Sequence, residues 1–269
     1  MAVGLARLEA PTLLITEIGV DERARRITAF LHDNEVEFIG SPSRDGRTAT
    51  AAVHLEHGEP TYEIDLRWTL PHQELPHCDA LHVGSLATVL EPGRDSVLDL
   101  VEQAWSLDVF VSYDPNIRAV SQESWGDVES LADRANLVKL SEHDIELLHP
   151  GADPDDVARS LLTGDRTELV VLTRGSRGAT AFAEAAEVSV PGLEVEVVDT
   201  VGAGDAFTAG LLALLLESGS FGSYGAGVPA EEARLEPMLR AAVEVAALSC
   251  SRPGAAAPSR SQLRQGWPD

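Results

Sequence analysis

The segment Val198-Asp-Thr-Val-Gly-Ala-Gly-Asp-Ala-Phe207 joins a β-branched run to a long apolar stretch. The run Val195 to Val198 predicts a strand, and Ala206 to Leu216 predicts a helix. A glycine-rich turn between a strand and a helix start brings several free backbone N–H groups to one point, where they form an anion site with the helix dipole. Gly202 and Gly204 let the backbone approach a phosphate closely. The segment therefore indicates an α/β protein that binds phosphate groups here.

Asp205 follows the glycine turn directly. From the spacing alone, two interpretations of this carboxylate stay open. An acid at a helix N-terminus can be a cap. It can also accept the proton of a hydroxyl group that attacks a phosphoryl group, which explains why a negative charge lies beside a phosphate site.

Two other phosphate-binding motifs are excluded by the residues around the turn. A P-loop needs Gly-Lys-Ser/Thr, but the only lysine of the chain is Lys139, in a β-branched and apolar context. A dinucleotide fingerprint needs a third glycine three residues after the second, and that position is Phe207.

The rest of the chain predicts an α/β fold with a small additional sheet. From Asp79 onward, strand-like and helix-like stretches alternate, which predicts a mostly parallel sheet covered by helices on both faces. Asp21 is the expected N-cap of a helix that runs to His32. Residues 36–68 alternate and turn, and they predict three short antiparallel strands that lie over another part of the molecule.

Composition and charge narrow the function classes. The net charge of −24 argues against nucleic-acid binding, because phosphate backbones need a basic surface. No apolar run is long enough to span a membrane, and the N-terminal residues do not form a secretory signal. Cys78 and Cys250 are expected to be reduced thiols. These features predict a cytoplasmic protein.

Residues 199–205 match the signature Asp-Thr-x-Gly-Ala-Gly-Asp at every fixed position, and the chain thereby resembles the ribokinase-like (PfkB) carbohydrate kinases. Further segments are similar to other motifs of that family along nearly the whole chain. They are Asp114-Pro-Asn-x-Arg118, Val138 to Asp144, Thr173 to Gly178, and Ser251 to Ala255. The chain departs from the Asn-x-x-Glu motif at its first and fourth positions, which are Ser141 and Asp144.

The resemblance implies a three-layer α/β/α sandwich with a small β lid. Residues 1–35 and 70–269 would form the nucleotide- and substrate-binding domain, and residues 36–69 the lid. The implied reaction is ATP-dependent phosphorylation of a sugar hydroxyl, with fructose favoured over 2-keto-3-deoxygluconate, ribose or a nucleoside. The expected partners are the sugar, ATP and a second copy of the chain joined through the β lid. A non-catalytic member that binds sugar or nucleotide is the alternative.

The resemblance also implies a role for each matched residue. Asp205 would be the catalytic base and contact the sugar, and Gly202, Ala203 and Gly204 would form the anion hole. Asp144 would orient Mg²⁺-bound water, while Asp199 and the backbone of Val201 would hold a monovalent cation such as K⁺. The expected sugar-binding residues are Asp114, Asn116 and Arg118. The expected nucleotide-binding residues are Lys139, Ser141, Thr173, Gly175, Gly178, Thr200 and Gly254.

The N-terminus departs from the family pattern. Met1 to Leu8 resembles the helix that, in relatives, follows a first strand and a Gly-Gly segment. Two explanations stay open: a start site placed within a longer gene, or a short form with weak or no kinase activity.

Overall fold

The computed structural model describes residues 1–56, 59–117, 125–162, 166–221, 227–263 and 267. Over these residues the chain forms ten β-strands, which are, in chain order, β1 (Leu13–Ile18), β2 (Glu37–Pro42), β3 (Thr50–Glu56), β4 (Glu59–Asp65), β5 (Ala80–Gly84), β6 (Phe110–Asp114), β7 (Leu137–Ser141), β8 (Leu169–Thr173), β9 (Ala179–Ala183) and β10 (Ala186–Val190). The same residues form eight α-helices, which are α1 (Ala2–Arg7), α2 (Glu22–Asp33), α3 (Gly93–Ser106), α4 (Trp125–Ala132), α5 (Glu142–Leu148), α6 (Pro154–Leu161), α7 (Ala203–Glu217) and α8 (Glu232–Cys250).

Six strands form a central mixed sheet in the order β10-β9-β8-β7-β6-β5. Strands β5 to β8 run parallel, and β9 and β10 are antiparallel to their neighbours. The carboxyl ends of the four parallel strands therefore lie along one edge. This is the edge where ligands bind in open α/β sheets.

Helices cover both faces of this sheet. On one face, α3, α4, α5 and α6 pack around buried residues such as Tyr113, Val138 and Leu140. On the other face, α7 and α8 pack around Phe110 and Leu137. Helix α1 lies against α7, where a Cβ on Gly4 would come within 3.0 Å of the Cβ of Ala209. The predicted three-layer α/β/α sandwich is confirmed.

The prediction of three antiparallel strands within residues 36–68 is wrong for the first of them. Strand β2 pairs in parallel with β1, with Leu13 opposite Glu37. The physical reason is the helix α2 between them, because a strand–helix–strand crossover returns the chain in the same direction. Strands β3 and β4 do form an antiparallel hairpin, with Thr50 opposite Asp65. The boundary of the lid at residues 36–69 stays a prediction.

The predicted strand at Val195 to Val198 is also wrong. These residues belong to none of the described sheets, and the side chains of Val197 and Val198 are 61% and 56% exposed. The backbone is instead fixed at the end of α8, because the amides of Val198 and Asp199 both donate to the carbonyl of Cys250, at 2.8 and 3.1 Å. A β-branched run favours an extended backbone but does not supply a partner strand.

Asp21 joins the start of α2 to the segment that leads into β3. Its carboxylate accepts a hydrogen bond from the Ala24 amide at 2.9 Å, which confirms the predicted N-cap. It also accepts from the amide and the hydroxyl of Thr48, at 2.9 and 2.7 Å. These donors, led by the Thr48 amide, lower the pKa of Asp21 from 3.8 to about 2.

We therefore expect Asp21→Ala to lower the melting temperature at neutral pH. Because the folded pKa lies below the ordinary value, the stabilisation is fully present above about pH 4 and is lost as the pH falls through about 2. Thermal unfolding followed by circular dichroism across this range is the measurement. Asp33→Ala is the control, since Asp33 is exposed at the opposite end of the same helix. An equal loss in both variants would contradict a specific role for Asp21.

Candidate active site

The glycine turn forms the start of α7. Gly202 is the N-cap of this helix and has a φ of +77°, which strains any residue that carries a Cβ. A Cβ at this position would also lie 2.6 Å from the Cβ of Ala255. The C-terminal loop around Ala255 therefore packs directly on the turn, and glycine is required for this contact.

Two backbone amides of the turn are free to bind a ligand. The Ala203 amide donates to the carbonyl of Thr200, and the Ala206 amide donates to the carbonyl of Gly202. Within the described ranges, the amides of Gly204 and Asp205 have no acceptor. They lie in the first turn of a fifteen-residue helix, so the helix dipole adds to their attraction for an anion.

The side chain of Asp205 belongs to the same first turn of α7 as these free amides. It is 49% exposed, and its nearest described charged partner is the α-amino group of Met1 at 3.8 Å. Helix α7 has no side-chain cap, so the capping interpretation of Asp205 is not realised in this geometry. An exposed carboxylate beside free amides can accept a proton from a ligand hydroxyl.

Asp199 connects the turn to the C-terminal loop. One carboxylate oxygen accepts a hydrogen bond from the Val201 amide and the other from the Gly254 amide, both at 2.9 Å. These two N–H donors lower the pKa of Asp199. Thr200, which follows it, is exposed beside the turn. Asp199, Thr200, Val201 and Gly254 are thus brought together, while the role of Asp199 and Val201 in holding a cation stays a prediction.

A buried ion pair lies on the sheet side of the turn. Nζ of Lys139 is 2.9 Å from Oδ2 of Asp114, and each residue is 4% exposed. Burial raises the pKa of Asp114, and the neighbouring Lys139 opposes this rise. A Cβ on Gly204 would be 3.2 Å from Nζ of Lys139. The turn, Lys139 and Asp114 therefore form one continuous site.

His82 is a candidate site residue that the sequence motifs do not reveal. It lies on β5 directly opposite Ser112 of β6, and its Nδ1 is 3.1 Å from Oγ of Ser112. Burial of the ring lowers the pKa of His82 to about 4, although the Asp205 carboxylate opposes this effect. The alternation of side chains along the strands could have indicated this residue. His82 lies two positions before Gly84 on β5, and these two residues are opposite Ser112 and Asp114 on β6.

Ser141 and Asp144 form a capping box at the start of α5. One oxygen of Asp144 accepts from the amide and hydroxyl of Ser141, at 2.8 and 2.5 Å, and the other accepts from the Ile117 amide at 2.7 Å. Asp144 is only 3% exposed. In the described ranges no three acidic, histidine or cysteine side chains come together around a metal-sized space. This geometry is that of a structural carboxylate, and the link between Asp144 and Mg²⁺-bound water stays a prediction.

The predicted nucleotide residues of β8 lie at the same edge of the sheet. Thr173 is opposite Ser141 in the strand register. Gly175 and Gly178 follow it with φ values of +58° and +100°. None of the described hydrogen bonds joins these two glycines to the turn before α7, so their common ligand stays a prediction.

The predicted sugar residues are only partly described. Asn116 adopts a φ of +44° at the carboxyl end of β6, two residues after Asp114. This left-handed backbone is uncommon outside glycine and is found at functional sites. Arg118 lies outside the described residues.

A model of the family described as "pfkB family carbohydrate kinase" matches residues 1–262. The chain belongs to this family. The match includes the glycine turn, Asp205 and all of the sheet, so the resemblance expected from residues 199–205 is confirmed.

Among curated proteins, the pfkB-family chain is similar to several fructokinases. It is 33% identical over 268 residues to a fructokinase of Salmonella typhimurium, an alignment that covers 95% of this chain and 85% of the relative. It is also 33% identical over 232 residues to probable fructokinase-6, chloroplastic, of Arabidopsis thaliana. That alignment covers 80% of this chain and only 60% of the plant protein.

Solved structures show the same fold. The fructokinase of Vibrio cholerae O395, crystallised with fructose, ADP and calcium ion, superposes with a TM-score of 0.81 at 27% sequence identity. The match covers 99% of this chain and 89% of the Vibrio chain. A double mutant of that fructokinase, with fructose, ADP and potassium ion, superposes with a TM-score of 0.80. The pfkB-family chain therefore has the ribokinase-like α/β fold.

Proposed function

We propose that this pfkB-family chain transfers the terminal phosphoryl group of ATP to a hydroxyl group of fructose. The observation that carries the proposal is the exposed Asp205 carboxylate beside the free amides of Gly204 and Asp205. This arrangement supplies the two things that phosphoryl transfer to an alcohol needs: a base for the hydroxyl proton and donors for the charge on the phosphoryl oxygens.

In this mechanism the sugar hydroxyl lies next to Asp205. The carboxylate accepts its proton as the oxygen attacks the terminal phosphorus of ATP, the bond from that phosphorus to the bridging oxygen breaks, and ADP leaves. The free amides of Gly204 and Asp205 donate to the phosphoryl oxygens as their charge develops. These donors are fixed by the helix start, so they need little reorganisation during the reaction.

Fructose is favoured because of the relatives. The curated proteins named above are fructokinases, and the Vibrio protein was crystallised with fructose. Asp114 and Asn116 at the end of β6, together with Arg118, are the side chains that we expect to contact the sugar. 2-Keto-3-deoxygluconate, ribose and a nucleoside remain the alternative acceptors.

Nucleotide and ions are assigned by analogy with the same relatives. The Vibrio structures contain ADP together with calcium or potassium ion. We propose Mg–ATP as the donor, bound along Lys139, Ser141, Thr173, Gly175, Gly178, Thr200 and Gly254. We also propose a K⁺ site at Asp199 and the backbone of Val201. The carboxylate of Asp199 is only partly buried and accepts hydrogen bonds from the amides of Val201 and Gly254.

The oligomeric state of the chain and its location in the cell are also part of the proposal. None of the helices in the described ranges has both the length and the apolar character needed to cross a bilayer. We propose a cytoplasmic enzyme that forms a homodimer through the β lid, residues 36–69.

A coupled assay of ADP release over a panel of acceptors tests the proposal. We expect turnover with fructose to exceed turnover with ribose, 2-keto-3-deoxygluconate and a nucleoside. Faster turnover with one of these other acceptors would correct the substrate. Binding of sugar and ATP without ADP release from any acceptor would instead indicate the non-catalytic alternative.

A further inference from the structure

Arg174 follows the carboxyl end of β8 and contacts three neighbouring elements. Its guanidinium donates to Oε1 of Glu142 at 2.8 Å, to the carboxylate of Asp155, and to Oγ1 of Thr180 at 3.2 Å. Glu142 is the first residue of α5, Asp155 is the second residue of α6, and Thr180 belongs to β9. One side chain therefore connects the end of β8 to two helix starts and to the next strand.

The ion pairs of Arg174 are expected to add little to the free energy of folding. The side chain of Arg174 is 18% exposed, and those of Glu142 and Asp155 are 26% and 35% exposed. Charges that are partly withdrawn from water lose hydration, and this loss largely offsets their attraction. What the arrangement supplies is geometry, because a planar guanidinium holds its partners in fixed directions.

The backbone of Arg174 closes the loop that follows it. Its amide donates to the carbonyl of Gly178 at 2.8 Å, and its carbonyl accepts from the Arg177 amide at 3.2 Å. The side chain of Arg177 pairs with Oε2 of Glu142, while Arg174 uses Oε1 of the same carboxylate. Residues 174–178 therefore form a closed loop that is anchored on α5 through both arginines.

The two glycines of this loop differ in their surroundings. A Cβ on Gly178 would lie 2.0 Å from the carbonyl oxygen of Val190, so that side of the loop is packed against the end of β10. A Cβ on Gly175 would have no neighbour within 4 Å among the described residues. Gly175 is exposed and therefore presents bare backbone at the edge of the sheet where ligands bind.

We propose that Arg174 is a positioning residue that keeps the loop of residues 174–178 in the shape that receives the nucleotide. The inference rests on the proposed function, which places ATP along Gly175 and Gly178. Arg174 acts through the loop, since each of its three guanidinium nitrogens already has an acceptor. A loop that is ordered in advance does not have to be ordered when the nucleotide binds.

The effect should be specific for the nucleotide. The expected sugar residues follow β6, which is two strands away from β8 in the sheet order. Loss of Arg174 should therefore change the binding of ATP and ADP and leave the binding of fructose intact.

The test is Arg174→Met, measured by calorimetric titration with ADP and by the KM values for ATP and fructose. We expect the affinity for ADP to fall about tenfold and the KM for ATP to rise by a similar factor, because the loosened loop must be ordered on binding. The KM for fructose and the kcat at saturating ATP should change little. Asp155→Asn should give a smaller loss of the same kind. The double variant should be no worse than Arg174→Met, because the contact between the two residues can be lost only once.

Arg159→Met is the matched control. Arg159 is a residue of α6 that pairs with Asp156 and Glu187, and its guanidinium lies 5.3 Å from the ring centre of Phe182. This variant removes a comparable set of ion pairs, but none of the described contacts of Arg159 is to the loop. We expect it to bind ADP with wild-type affinity.

Melting temperatures of all variants show whether the fold is retained. If Arg174→Met does not fold, Asp155→Asn and Arg174→Lys carry the test, since lysine keeps the charge but not the planar fork and should lose part of the ADP affinity. Wild-type ADP affinity in the folded variants of Arg174 and Asp155 would overturn the inference, as would an equal loss in Arg159→Met or a parallel loss for fructose. Wild-type turnover on sugars is measured separately, so the inference can fail while the proposed kinase function stands.

Discussion

Replacing Asp205 by asparagine is expected to lower kcat by about a thousandfold or more, since general-base catalysis contributes about 10² to 10⁴. Asparagine keeps the size of the side chain but cannot accept the hydroxyl proton. The side chain is half exposed and makes no described hydrogen bond, so the fold should not depend on it. The measurement is kcat in the coupled ADP-release assay, with the melting temperature determined on the same sample.

Asp95→Asn is the matched control. Asp95 is the third residue of α3, as Asp205 is the third residue of α7, and both are exposed acids in a first helical turn. If Asp205 only complements the helix dipole, the two variants should lose similar stability and keep their activity. Turnover by Asp205→Asn within tenfold of wild type would exclude the role of base.

Gly202→Ala is expected to remove nucleotide binding and to destabilise the fold by about 3 kcal/mol. The new methyl group would meet Ala255 at 2.6 Å, and the backbone would keep its φ of +77° only at a cost. Relief of the contact requires movement of the turn or of the C-terminal loop. Either movement displaces the amides that face the phosphate. Calorimetric titration with a non-hydrolysable ATP analogue and thermal unfolding measure the two effects.

Gly219→Ala separates backbone strain from steric contact. Gly219 follows the same helix, has a φ of +68°, and a Cβ there would have no neighbour within 4 Å. This variant should lose about 1 kcal/mol through its backbone alone and bind the ATP analogue normally. Normal binding of the ATP analogue by Gly202→Ala would contradict the place of the terminal phosphate at the turn.

The sequence predicts where several strands lie, but it does not predict the direction in which they pair. The alternation in residues 36–68 predicts strands, and strands are present at β2, β3 and β4. The direction of pairing follows from the connection instead. A helix precedes β2, which is parallel to β1, whereas only two residues of sequence separate the antiparallel strands β3 and β4. Val195 to Val198 has strand composition but no strand edge beside it.

The catalytic half of the site is local in sequence. Gly202, Gly204 and Asp205 are within four positions of one another, so their spacing already determines a helix start with free amides and an acid beside them. Asp21 and Ser141 are similar, because a cap and its amides lie within three residues. Such short-range geometry depends little on the rest of the fold.

Only the tertiary structure decided which distant groups join the turn. Asp114 and Lys139 are 25 residues apart, His82 and Ser112 are 30 apart, and Asp199 and Gly254 are 55 apart. No local pattern encodes these contacts, because they depend on strand order and on how the C-terminal loop packs on α7. The sequence by itself determined the phosphate-binding turn and its acid, while folding determined the charges that surround them.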